Sequence, residues 1–186
     1  MQNILERFQV KGKVAIVTGS GRGIGAAIAI ALADAGADVV VTARTVEQLE
    51  KNAEQIRERG CRALVVACDV LDEKQRKRLI DKTIQHFGRL DILVNNVGGS
   101  GEIKPTLMTT ENELEACFKL NTTAAFAMSR ICAPVMVETV GQGTIVNISS
   151  AGSGLGLSGL AISAVFFFRK ISIRALFGSI AIFSGV

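Results

Sequence analysis

Five short runs of apolar, largely β-branched residues recur along the first 149 positions: KVAIVT (13–18), DVVVTA (38–43), RALVVACDV (62–70), LDILVNN (90–96) and GTIVNIS (143–149). Each is continuous rather than alternating, the pattern of a strand buried on both faces. Helix-forming segments separate them. IGAAIAIALADAG (24–36) is alanine-rich and stops at Gly36. TVEQLEKNAEQIRERG (45–60) sets Val46, Leu49, Ala53 and Ile56 on one stripe, and Gly60 closes it. LDEKQRKRLIDKTIQHFG (71–88) is a third helix. A fourth is expected over roughly 110–138, with Glu111, Glu113 and Glu115 in its first turns after Thr109 and Thr110. Strands alternating with helices imply βαβ units, so the expected class is α/β with a doubly wound parallel sheet.

The regularity ends after residue 150. GLGLSGLAISAVFFFRKISIRALFGSIAIFSGV (154–186) shows neither clean helical amphipathicity nor strand alternation, and one helix near 160–177 is the expectation there. No charge occurs between Thr139 and Phe168, but this stretch opens on polar and glycine-rich residues. Its apolar run, Leu155 to Phe168, is shorter than the ~20 residues a spanning helix needs, so no membrane span is expected.

Composition narrows the functional classes. Hydrophobic residues make up 48% and charged residues 20%, a globular balance. The net charge of +4 is spread among acidic residues on helix faces, which argues against nucleic acid but suits an anionic cofactor. Cys61, Cys68, Cys117 and Cys132 include no CxxC pair and lie in apolar or helical contexts. They read as reduced core thiols, with no metal site and no disulfide. The start, MQNILERFQVKGK, carries charges through what would be a leader's apolar core. A cytoplasmic protein is expected. His86, the one histidine, precedes a helix end, where a capping role is the plainer reading. The Phe166–Phe168 run reads as core or surface rather than as a binding cage.

Chemistry enters at VTGSGRGIG, which joins the first strand to the first helix. Glycines there allow a tight turn and close approach of a diphosphate, whose charge then sits at the helix N-terminus. Gly19, Gly23 and Gly25 follow Thr18 as TGxxxGxG, and Gly21, Gly23 and Ala26 also satisfy GxGxxA. At the end of the second strand an acidic side chain would bind a ribose 2′-hydroxyl. Ala43 stands there, followed by Arg44, while Arg22 sits inside the glycine turn. Two guanidinium groups near one ribose suit a 2′-phosphate, so NADP is expected over NAD.

TGxxxGIG, CDV after the third strand, NNVG after the fourth and IVNISS on the fifth together resemble the short-chain dehydrogenase/reductase family, over residues 8–155. The overall pattern resembles bacterial members acting on 3-oxoacyl groups or hydroxysteroids. The resemblance implies a Rossmann-like sheet, truncated here after the fifth strand: a dinucleotide-binding domain over 1–155 and an atypical apolar tail over 156–186. It implies that Gly19, Gly23 and Gly25 form the diphosphate turn and that Ser20, Arg22 and Ile24 beside them also bind the cofactor. Asp69 and the Val70 backbone would flank the adenine. Asn95 and Gly98 belong to the motif beside the cofactor, in which Val97 replaces the usual alanine and crowds the site slightly. Asn121, in KLN, matches the asparagine that holds a water in the family's proton relay. Ser150 matches the catalytic serine, with Ser149 its neighbour.

The implied reaction moves a hydride between the nicotinamide and a carbonyl or alcohol carbon of a small molecule. A tyrosine serves as acid or base, its pKa lowered from about 10 by a lysine. The chain contains no tyrosine, and the matching slots hold Ser163 and Phe167. The expectation is an oxidoreductase by descent whose turnover is impaired. The alternatives are a dinucleotide- or partner-binding relative without turnover, and an unstable truncated product. A homodimer or homotetramer through the helix near 110–138 is also implied.

Overall fold

The computed structural model describes residues 8–99, 101–102, 105–149, 171–176 and 179–184. Its elements follow the expected order: β1 (Val14–Thr18), α1 (Gly23–Asp34), β2 (Asp38–Ala43), α2 (Val46–Glu58), β3 (Ala63–Ala67), α3 (Glu73–Phe87) and β4 (Ile92–Asn95). Then come α4 (Glu111–Phe118), α5 (Ala124–Val140), β5 (Gln142–Asn147), β6 (Ile171–Leu176) and β7 (Ser179–Ser184). The first five strands pair in parallel in the order β3-β2-β1-β4-β5.

Side chains alternate across each strand, so β1 feeds two cores at once. Val14 and Ile16 join Leu79 and Ile80 of α3 and Met128, Cys132 and Met136 of α5 on one face. Ala15 and Val17 join Ala29 and Ala33 of α1 and Leu49, Ala53 and Ile56 of α2 on the other. Each fully buried Leu or Ile contributes about 1.5–3 kcal/mol by leaving water, which is why these strands carry no polar face. The alanines of α1 serve a different end: short side chains bring the helix, and the turn before it, close to the sheet.

Three expectations change. Val46, expected on the buried stripe of α2, is 41% exposed at the helix's first residue. Asn52 takes a buried place on that stripe instead. The helix expected over roughly 110–138 is interrupted by a π-helical turn, Lys119–Thr123, between α4 and α5. It starts as read: Thr110 and Glu113 form a reciprocal cap, the Glu113 carboxylate accepting from the Thr110 N–H and the Thr110 hydroxyl accepting from the Glu113 N–H. The run Glu111–Val140 has the length and hydropathy of a membrane span. Its apolar residues Met128, Cys132 and Met136 are core residues packed against the sheet.

The third change lies beyond β5. Residues 171–176 are a strand, not part of a helix. β6 pairs antiparallel with β5, and β7 antiparallel with β6, extending the sheet past its parallel portion. Isoleucines at 171, 173, 180 and 182 carry a period of two within this stretch, which favours strand once an open β5 edge is beside it. The remainder of 160–177 lies outside the described residues.

Candidate functional site

The strand order reverses between β1 and β4, and helices leave the sheet there on opposite faces. That leaves a crevice at the carboxyl ends of the strands, where open α/β sheets bind ligands. Two joined cavities occupy it. The larger, about 600 Å³, lies over the glycine turn and the loops after β2 and β3. The smaller, about 240 Å³, lies over the ends of β4 and β5. Ile24, Asn96, Val97 and Gly98 line both and form the waist between them.

The larger cavity gathers most of the sequence-derived candidates. Gly19, Arg22, Gly23, Ile24 and Gly25 line it from the turn, Arg44 from the loop just past β2, and Asp69 and Val70 from the loop after β3. Ser20 is not among its lining residues. It is fully buried, its hydroxyl accepting the Thr42 N–H at 2.7 Å and its own N–H bonding the Thr42 carbonyl at 3.1 Å. Its side chain therefore anchors the turn to β2 rather than facing the cavity. The Asp69 carboxylate accepts the Leu71 N–H at 2.9 Å, which fixes the loop containing Val70. Arg22 and Arg44 are exposed, and neither has an ion-pair partner among the described residues. The position beside them is Ala43, so no carboxylate at the end of β2 competes for their charge.

Whether a dinucleotide diphosphate fits can be judged at the turn. A Cβ on Gly25 would overlap the Gly19 carbonyl and the Asn96 carboxamide, so α1 starts as close to the turn as a backbone allows. The N–H groups of Gly21 and Arg22 meet no acceptor among the described residues. The N-cap, Arg22, supplies no side-chain acceptor to the first N–H groups of α1. Unspent donors at a helix start, with two guanidinium groups beside them, suit a polyanion.

The smaller cavity is built from carboxamides. Asn95 is buried at the end of β4, donating to the Asn147 side chain at 2.9 Å, to Ser129 Oγ at 3.1 Å and to the Ala125 carbonyl at 3.3 Å. It ties β4 to β5 and α5. Asn121 lies in the π-helical turn, a local widening that recurs at functional sites. Its Oδ1 accepts the Gly99 N–H at 2.9 Å, and its Nδ2 reaches the Gly99 carbonyl at 2.8 Å and the Cys117 carbonyl at 2.9 Å. The carboxamide thus clamps the loop after β4. Ser149 lines this cavity; Ser150, Ser163 and Phe167 lie outside the described residues. No Asp, Glu, His, Lys or Tyr is among its described lining residues.

Sequence reasoning passed over two groups that shape the site. Asn96 donates to the Thr18 carbonyl at 3.0 Å, and the Thr18 hydroxyl accepts the N–H groups of Asn96 and Val97 at 2.9 and 3.2 Å. The signal was present in the NN pair and in the threonine before Gly19. Asn52 was legible only as a polar residue interrupting an apolar stripe.

A parallel crevice with a glycine turn, unspent N–H donors and a carboxamide-lined end defines a Rossmann-type nucleotide-binding fold. The chain belongs to the short chain dehydrogenase family, which it matches over residues 13–164. It is 43% identical over 159 residues to an uncharacterized oxidoreductase of Mycobacterium tuberculosis, covering 85% of this chain and 60% of that protein. It is 38% identical over 145 residues to the 7α-hydroxysteroid dehydrogenase of Escherichia coli K12, covering 78% and 56%. Among solved structures, a 7α-hydroxysteroid dehydrogenase in complex with NADH and 7-oxo glycochenodeoxycholic acid superposes with a TM-score of 0.82 at 34% identity, covering 88% of this chain and 63% of that one. An NAD⁺-bound xylitol dehydrogenase gives 0.78 at 31%, covering 82% and 58%. The chain spans about three fifths of the length of these relatives.

Proposed function

We propose that this chain binds a nicotinamide dinucleotide across the two cavities, NADP(H) in preference to NAD(H), and is an oxidoreductase by descent with impaired turnover. The observation that carries the reading is the glycine turn with free N–H donors, flanked by Arg22 and Arg44 and facing Ala43. When bound, the nicotinamide would supply or accept the hydride exchanged with a carbonyl or alcohol carbon. The chain's own residues would bind and orient: backbone N–H groups of the turn on the diphosphate, the arginines on a ribose 2′-phosphate, Asp69 and Val70 at the adenine end, Asn95 and Gly98 beside the nicotinamide. Asn121 would act by fixing the loop at Gly99. Ser150, with Ser149 adjacent, would orient the substrate oxygen.

Impairment follows from the proton. The carbonyl oxygen gains negative charge and must be protonated, and no tyrosine exists in these 186 residues to do so. An aliphatic hydroxyl such as Ser163 titrates far above a phenol, and Phe167 supplies no cation to lower it. Loss of a positioned acid typically costs about 10²–10⁴ in rate. Self-association through α4 and α5 is part of this proposal, supported by Phe118 and Phe126 standing 46% and 61% exposed there.

The test is a fluorescence titration of the chain with NADPH and NADH, followed by NADPH consumption with a panel of ketones. Tighter binding of NADPH, without measurable consumption, is expected. Arg44→Asp should reverse the preference toward NADH. An unchanged preference in that variant would sink the 2′-phosphate assignment, and brisk consumption would sink the impairment.

A further inference from the structure

Four consecutive carbonyls of the glycine turn are held by two asparagines from opposite sides. Asn96, just past β4, donates from Nδ2 to the Thr18 and Gly19 carbonyls at 3.0 and 3.4 Å. Asn52, in the middle of α2, donates from Nδ2 to the Ser20 and Gly21 carbonyls at 2.8 and 2.9 Å. Asn52 is only 7% exposed and sits on a stripe shared with Leu49 and Ile56. Burying a carboxamide where an apolar side chain would pack is unfavourable unless its hydrogen bonds are made. Here both go to the turn.

We propose that Asn52 is a positioning residue for diphosphate binding, acting by holding the Ser20 and Gly21 carbonyls against α2. The inference rests on the dinucleotide reading of the cleft. A trans peptide is planar, so its C=O and N–H point in opposite directions. Fixing these two carbonyls on the α2 side turns the N–H groups of Gly21 and Arg22 the other way, toward the cavity that both residues line. Those are the N–H groups with no acceptor among the described residues. Without Asn52 the two peptides lose the bonds that set their orientation, and a rotated peptide presents a carbonyl dipole to the incoming phosphates. Gly21, the residue shared by the two peptides, has no side chain to resist that rotation.

The test uses the full chain with Asn52→Leu, which keeps the stripe filled, and Asn52→Asp, which keeps the shape but sets a carboxylate against the two carbonyls. Titration with NADPH should show binding weakened about tenfold in each variant, the scale set by losing buried hydrogen bonds. Adenosine 2′-monophosphate, which lacks the diphosphate, should bind as it does to the parent chain. In the ligand-free protein, amide exchange should accelerate at Ser20, whose N–H bonds the Thr42 carbonyl, and stay unchanged in β1 and the rest of α2. NADPH affinity equal to the parent's, equal weakening toward both ligands, or unchanged exchange in the turn would each overturn the proposal. Unfolding of both variants would do the same by assigning Asn52 to general stability. Should the parent chain itself fail to bind NADPH, the dinucleotide reading falls and takes this proposal with it. Parent binding with an unaffected Asn52→Leu removes this proposal alone.

Discussion

Gly23 and Gly25 stand two residues apart in one turn and answer to different constraints. Gly23 has φ +58°, in the left-handed region, with open space where a Cβ would lie. A side chain there meets no neighbour and costs only the backbone term, about 1–2 kcal/mol. Gly25 has ordinary helical backbone, but its missing Cβ is the room occupied by the Gly19 carbonyl and the Asn96 carboxamide. Both of those are fixed, so Gly25→Ala must push α1 away from the turn. Urea denaturation should show Gly23→Ala losing about 1 kcal/mol and Gly25→Ala losing more, toward the upper end of the roughly 1–3 kcal/mol of overpacking. NADPH titration should separate them further, with Gly25→Ala losing binding because the donors of α1 are displaced. Equal effects of the two substitutions would contradict the contact geometry.

At the scale of elements, the opposite end of the sheet is pinned by Asp91, the residue before β4. Its carboxylate accepts the Val14 N–H of β1 at 2.9 Å and two bonds from Arg89 at 2.7 and 2.8 Å, with Lys13 3.7 Å away. Its backbone bonds β1 through Val14 and β5 through Thr144. Burial alone would push its pKa up. The Arg89 hydrogen bonds, the Val14 N–H and the charges of Arg89 and Lys13 together outweigh burial and hold it below the usual carboxylate range. A carboxylate with a depressed folded-state pKa stabilises fully above its unfolded value, near 3.9, and loses that contribution as pH falls through the folded value. Asp91→Asn should therefore be less stable than the parent chain at pH 7, by about 1–3 kcal/mol for the charged hydrogen bonds lost. The difference should narrow as the pH is taken below about 4. Urea denaturation at several pH values measures this, and a gap that stays constant with pH would assign the loss to packing instead of charge.

For the whole molecule, the described residues to 149 were legible because parallel strands buried on both faces must be continuously apolar, and β1 to β5 are. The glycine turn was legible for a similar reason: close approach at Gly25 admits one residue type. What stayed hidden depends on partners distant in sequence. Nothing local in KLNTT marks a π-helical turn, since Asn121 widens the helix in order to reach Gly99, 22 residues earlier. Ser20 reads as a ligand contact until β2 is seen to take its hydroxyl. The strand at 171–176 depends on the β5 edge it joins. The same two cores that made the fold readable also decide its thiol chemistry. Cys132 is wholly buried, and burial pushes its pKa far up. Cys68 is pushed to about 11, by burial first and then by Asp69. Burial also raises Cys117, against a lowering hydrogen bond from Asn121. Cys61 is raised as well, by burial and then Asp38 and Asp34, but it is only half-buried. Thiolates react, not thiols, so at pH 8 a disulfide-exchange reagent should label the native chain at Cys61 alone, and slowly. All four cysteines should label at once in denaturant. Rapid native labelling of Cys132 would mean that the core opens on the timescale of the reagent, because its sulfur lies wholly buried between α5 and the sheet.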